Sequence, residues 1–357
     1  MDPLQVCKVN GMNLEAAKYH IKTMLGTSVS FIAHTEAQPW HGSGQGAGNS
    51  PTLWLFISST LFDCFEDYAH GATFATPDGS KTVKLFMTGF VDDTNSRTNC
   101  FNTNEIPTIE ELVTKAEKDA QWWSDLLWTS GGKLEPKKCS YHHLRYEFQK
   151  NGCPVLVQGN KWSPPLAIKS TDGSITHIKQ MANERDHKSL GCHKGPSGEL
   201  KAQLQALQEK AEFYTRVIKS SPLNRREANM FQRSIVLSSM CYPLETTYFK
   251  DSILDKVQSK PRRAALQKMG YCSNTSKAIC YGSWKYGCID LHRFADKQGI
   301  GLVQQFLKHW RTRSTDIGEL SEIALAWVQF HSGLGTSLLE DVVTDAHLPV
   351  GIFACLR

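Results

Sequence analysis

No run of eighteen apolar residues occurs anywhere in the 357-residue chain, which argues against a membrane-spanning helix. The opening residues have no basic-then-apolar pattern, so a secretory leader is not indicated. Cysteine is too thin for a disulfide scaffold. Its eleven residues, an odd number, are scattered, which points to a reducing intracellular compartment, nuclear or cytoplasmic. Internal repeats and low-complexity tracts are missing too. What is present reads as an ordinary globular protein, 40% hydrophobic and 21% charged, long enough for one large or two to three small domains.

Net charge is +5, unevenly placed. Between Lys260 and Arg313 eleven Lys or Arg stand against Asp290 and Asp296, a local excess of +9 that leaves the rest of the chain at −4. Such a segment is a footprint for phosphate backbone, although a solvated face has the same composition.

Two stretches organise the chain. The first, His41-Gly42-Ser43-Gly44-Gln45-Gly46-Ala47-Gly48-Asn49-Ser50-Pro51, is a glycine-rich turn running into an apolar helix. Glycines there let backbone approach a nucleotide or strand closely, and Asn49-Ser50-Pro51 supplies a polar cap followed by proline at the helix start. The helix carries Trp54, Ile57, Leu61, Phe65 and Tyr68 on one stripe, a core-packing pattern, and His70-Gly71 ends it. The second stretch, Phe90-Val91-Asp92-Asp93, puts an acidic pair at the tip of a strand predicted from about Val83 to Val91. Adjacent carboxylates on a strand end can hold divalent cations that neutralise charge in phosphoryl transfer. Asp-Asp followed by Thr-Asn-Ser is also good turn chemistry.

The order Gln-Gly…Ser-Pro, helix, hairpin, aromatic-x-Asp-Asp resembles the middle of a reverse transcriptase palm, that of LINE-like non-LTR retrotransposons above all. The resemblance implies an α+β fold: a partial right-hand polymerase palm, an antiparallel sheet with helices on one face, over residues 1–195, then a helical thumb-like region over 196–357. It implies RNA-directed DNA synthesis from deoxynucleoside triphosphates on an RNA template and DNA primer, with Mg²⁺ or Mn²⁺ held by Asp92 and Asp93. By the same likeness Gln45, Gly46, Ser50 and Pro51 contact the template and nascent base pair. Phe90 stands where the family usually has Tyr, which keeps the ring's packing and loses the hydroxyl.

The remaining segments fit that order. Thr108 and Glu111 form a capping box for a helix with Leu112, Ala116, Trp123 and Leu127 on its stripe, stopped at Gly131-Gly132. The loop after it, through Lys137 and Lys138, leads into a strand with Leu144, Tyr146 and Phe148 alternating. Related polymerases have a lysine there near the incoming triphosphate, where a cation could stabilise the leaving pyrophosphate; solvated surface lysines have the same appearance. Residues 151–165 read as a loop, and Asp172-Gly173 as the turn of a hairpin. Leu190 and Gly191 match the Leu-Gly of the family's primer grip. From about Gly198 the pattern becomes helical: one helix to a break at Ser221-Pro222, a second from Arg225 to Cys241, short helices over Ser252–Gln258 and Ala264–Met269, and another from Ile317 to Phe330. Arg262, Arg263 and Arg311 are the candidate backbone contacts, with Trp284, Tyr286, His309 and Trp310 interleaved among lysines and arginines as stacking or core residues. Cys272, Cys280, Cys288 and His292 have zinc-ligand chemistry without the usual short knuckle, and buried unliganded thiols fit them as well.

One departure from the family stands out. Its polymerases use a third carboxylate on a strand several tens of residues before the glycine turn. Ahead of Gln45 the only acids are Asp2, Glu15 and Glu36, none at the end of an apolar strand. The expectation is therefore an incomplete polymerase without fingers or first catalytic strand, inactive by itself. The alternatives are a non-catalytic nucleic-acid-binding remnant, or a site completed by an upstream polymerase segment in trans.

Overall fold

A computed structural model describes residues 29–30, 36–37, 50–90, 93–100, 108–150, 154–159, 164–170 and 173–333. The fold is α+β, with helices and short, mostly antiparallel strand pairs. Among the described residues the strands pair only two by two instead of forming one sheet. No helix among them is long and apolar enough to cross a membrane. The chain divides into two compact units, 1–74 with 84–182 and 75–83 with 183–357. The sequence-based boundary at 195 thus falls past the observed one.

In the first unit β1 (Val29–Ser30) pairs with β2 (Glu36–Ala37), so the strand expected from Val29 to His34 is described only at its first two residues. The helix expected over 13–24 and the glycine-rich turn before Ser50 lie outside the described residues. Helix α1 (Ser50–Glu66) turns Leu61 and Phe65 fully inward. Tyr68, expected on the same stripe, falls beyond the helix end and is exposed. Gly71, at φ +63°, turns the chain into β3 (Ala72–Ala75).

A turn at Pro77-Asp78-Gly79 joins β3 to β4 (Thr82–Leu85), with the Gly79 N–H donating to the Thr76 carbonyl at 2.9 Å. Hydrogen bonds from Thr76 and Ser80 hold the Asp78 carboxyl down at about 2. The single strand expected over 83–91 is instead two, β4 and β5 (Met87–Phe90), broken at Phe86. The chain changes partners there: β4 pairs back to β3, while β5 pairs forward with β6 (Asp93–Ser96).

Helix α2 (Ile109–Thr129) starts at the expected capping box, with Glu111 N–H on Thr108 Oγ1 and Thr108 N–H on Glu111 Oε2, both at 3.2 Å. Beyond α2 lie β7 (Ser140–Tyr141), β8 (Tyr146–Phe148), β9 (Pro154–Leu156), β10 (Ala167–Lys169), β11 (Ile175–His177) and β12 (Lys179–Gln180). The β10–β11 hairpin was expected; β9, paired with β8, lies where a loop was expected. Leu61, Phe65, Trp123 and Leu126 form the main core of this unit.

The second unit opens with the hairpin of β13 (His187–Ser189) and β14 (Cys192–Lys194), then α3 (Lys201–Ser220). The helix expected from Arg225 to Cys241 is α4 (Arg225–Phe231), a π-helical stretch Gln232–Leu237, and α5 (Ser238–Cys241). A 3₁₀ turn, Tyr242–Glu245, contains Pro243. The two short helices expected either side of Pro261 are one, α6 (Asp251–Lys268). A helical proline costs about 3 kcal/mol. Here it is buried, as are Ala264, Ala265 and Leu266 of the same helix, and the helix runs through it. There follow α7 (Lys277–Tyr281), a 3₁₀ turn Trp284–Tyr286, α8 (Phe294–Arg311) and α9 (Asp316–Ser332). Buried Gln258 and Gln298 are satisfied by backbone groups of His292, Phe294 and Phe249.

Candidate active-site hairpin and nucleic-acid contacts

The acidic motif lies at the β5–β6 hairpin of the first unit. Phe90 and Asp93 are register partners, both exposed, so only Val91 and Asp92 connect the two strands; these two lie outside the described residues. The hairpin rests on α1 through a residue the sequence reading passed over. A β-carbon added at Gly89 would overlap the ring of Phe62. Phe62 in turn stacks on Trp123 of α2, with centroids 5.6 Å apart and planes 18° apart, and Phe65 meets the same indole edge-on at 5.6 Å. Phe86 and Met87 pack against this cluster.

The chain just past β6 is anchored by a buried carboxyl group. Asp119 of α2, 3% exposed, accepts from the His70 N–H at 2.9 Å, His70 Nδ1 at 2.7 Å and Thr98 Oγ1 at 2.6 Å. Asn99 continues the grip: its Oδ1 accepts from the Thr73 N–H at 3.0 Å, and its Nδ2 donates to the Thr73 carbonyl at 2.9 Å. A buried polar group is tolerated when hydrogen-bonded in this way, and here the bonds fix the chain just past β6.

Of the other candidate residues in this unit, Gln45 and Gly46 lie outside the described residues, while Ser50 and Pro51 are the first two residues of α1. Lys137 and Lys138 are exposed on the turn after α2, where the Lys138 N–H donates to Glu135 O at 3.0 Å. Burial pushes the neighbouring Cys139 thiol up, away from thiolate chemistry.

In the second unit Leu190 and Gly191 form the tip of the β13–β14 hairpin, with φ of +49° and +81°. Two successive left-handed residues are the signature of a type I′ connection. Gly191 lies over Tyr242, whose Cε1 would be 3.6 Å from a β-carbon there. Arg263 and Arg311 are exposed. Arg262 is a correction: it is 8% exposed, with Nη1 donating to the Tyr281 hydroxyl at 2.7 Å, so it belongs to the core and not to a phosphate-binding face. Trp310 stacks on Phe306 and carries Arg313 over its ring at 4.1 Å, whereas Trp284 and Tyr286 are exposed.

Among the described residues no three His, Cys, Asp or Glu side chains gather as a metal site; Cys280 is buried and Cys272 exposed. The donor chemistry of the hairpin nonetheless fits Mg²⁺, which takes one or two carboxylates and keeps several waters. Asp93 is an exposed carboxylate at the first residue of β6, with Asp92 beside it in sequence. No protein-family model matches this sequence, and no curated protein matches it.

Proposed function

We propose that the chain is a reverse-transcriptase-type palm-and-thumb protein that binds an RNA template paired with a DNA primer, and that Asp92 and Asp93 hold Mg²⁺ or Mn²⁺. The observation that carries this reading is the β5–β6 hairpin. Its ladder closes at Phe90 and Asp93, leaving a two-residue connection that includes Asp92, and it rests through Gly89 on the helix that follows the glycine-rich turn. The bound cation would neutralise phosphate charge at the carboxylate pair. Phe90 and Asp93 stand exposed at that end of the hairpin, and Lys137 and Lys138 are solvent-accessible cations of the kind that hold a triphosphate.

The reading is one of binding without extension. Template-directed synthesis from deoxynucleoside triphosphates requires a third carboxylate beside Asp92 and Asp93. A polymerase segment supplied in trans would complete the site. Manganese titration followed by electron paramagnetic resonance tests the metal half: the wild-type chain binds Mn²⁺, and Asp92→Asn abolishes that binding while leaving the circular dichroism spectrum unchanged. Equal Mn²⁺ binding by the two proteins would refute it.

A further inference from the structure

Trp284 is 69% exposed and Tyr286 is 85% exposed, although large aromatics ordinarily serve as core. They flank Lys285 on a short 3₁₀ turn whose backbone is well pinned. The Tyr286 N–H donates to Ser283 O at 3.0 Å, and the Gly287 N–H donates to Trp284 O at 3.0 Å. The Lys285 N–H donates to Ser283 Oγ at 3.4 Å, and Gly287 closes the turn at φ +76°. The loop returns to α7 through Ile289 N–H on Ile279 O at 2.9 Å and Leu291 N–H on Cys280 O at 2.7 Å. Lys277 and Arg293 on either side are both committed to Asp255. Lys285 is exposed and joins no ion pair among the described residues, and neither Trp284 nor Tyr286 stacks on another ring among them.

We infer that Trp284, Lys285 and Tyr286 form a stacking site for unpaired bases of single-stranded nucleic acid. In a 3₁₀ turn successive side chains are about 120° apart, so the two rings fan to different sides and each presents a face to a separate base. Stacking on such rings tolerates any sequence, because every base has a π-face. Lys285, an exposed cation outside every ion pair among the described residues, adds a contact for the strand's phosphates. Charge complementarity therefore selects a polyanion, and the exposed rings select one with flat bases. Because the turn is already ordered, binding costs little backbone entropy. The inference rests on the nucleic-acid half of the proposed function and is independent of metal at Asp92 and Asp93.

The test uses the full chain and fluorescein-labelled oligo(U) and oligo(dT), followed by anisotropy. Trp284→Ala and Tyr286→Ala should each raise Kd by about tenfold at fixed salt, whereas Trp284→Phe, which keeps a ring, should stay within about threefold. Lys285→Ala should lower the slope of log K against log salt by about 0.7, and the two aromatic variants should leave that slope unchanged. Oligo(U) binding that both Ala variants retain in full would overturn the inference, as would equal competition by inorganic polyphosphate, which has no bases to stack. The same variants on a labelled primer–template hybrid separate the two proposals. Single-strand binding that depends on the rings, with no hybrid binding, leaves the stacking site standing and removes the polymerase reading; hybrid binding with single-strand binding indifferent to the rings does the reverse.

Discussion

Gly89 and Phe62 occupy the same space in turn: the ring of Phe62 fills the position that a side chain on Gly89 would take. The hairpin bearing the acidic pair therefore lies directly on α1, with Trp123 of α2 stacked behind Phe62. Gly89→Ala should lose about 1–3 kcal/mol by overpacking, read as a lower urea midpoint with faster hydrogen exchange in β5 and β6. Shrinking the ring tests the cause. Phe62→Leu combined with Gly89→Ala should cost less than the two single losses together, and strict additivity would count against this contact.

Asp119 is the other support of that hairpin. Asp119→Ala leaves donors from His70 and Thr98 without their acceptor, and should destabilise by roughly 3 kcal/mol in chemical denaturation. Asp119→Asn keeps one carbonyl acceptor and should lose visibly less. Thr98→Val, which deletes one donor, should cost least of the three. Equal effects of all three would mean that the network does not hold the strand.

Leu190 adopts a left-handed conformation, which a residue with a β-carbon takes at a cost of about 1–2 kcal/mol. Asn suits that position of a type I′ turn, so Leu190→Asn should raise thermal stability by about 1 kcal/mol. If Leu190 is kept for contact with a primer strand, the same variant should weaken primer–template binding severalfold. Stability that rises with binding unchanged would reduce Leu190 to a turn residue.

The acid limb of the stability curve should depend on Asp255. Its carboxyl is held below the ordinary 3.8 by hydrogen bonds from Arg293, then Lys277, against the opposing effect of burial. A carboxylate lowered in the folded state contributes stability above its unfolded value, and that contribution is lost as pH falls from about 3.8 through the folded value. Asp255→Asn should therefore lower Tm at neutral pH and flatten the fall in Tm below about pH 4. An unchanged acid limb would show that other carboxylates set it.

What the sequence made legible, and what it hid, follows the range of the forces. The Thr108–Glu111 box and the Gly79 and Gly173 turns depend on neighbours within a few residues, and local chemistry suffices to read them. Helix α8 escaped because Gly299 and Gly301 interrupt its pattern. Gly301 is needed where Glu245 comes so close that a β-carbon would lie 2.7 Å from its Cγ, a tertiary fact. Pro261 misled in the opposite direction, since α6 runs straight through it and it is buried there. At the candidate site the motif Phe90-x-Asp92-Asp93 was plain, but its seat on Phe62 was not: a glycine beneath a ring looks like any other glycine in a strand. The burial of Arg262 was hidden for the same reason, since its partner Tyr281 lies on another helix.

Primer extension on a labelled RNA–DNA primer–template, with Mg²⁺ and then Mn²⁺ and with Asp92→Asn alongside, bears most directly on the proposed function. Anisotropy of the same label reports binding in the same tube. The prediction is salt-sensitive binding of the hybrid, weakened by Arg263→Ala or Arg311→Ala, with no extension by either metal. Extension that vanishes in Asp92→Asn would contradict it and show that the chain carries a third catalytic carboxylate; no binding at all would remove the polymerase reading.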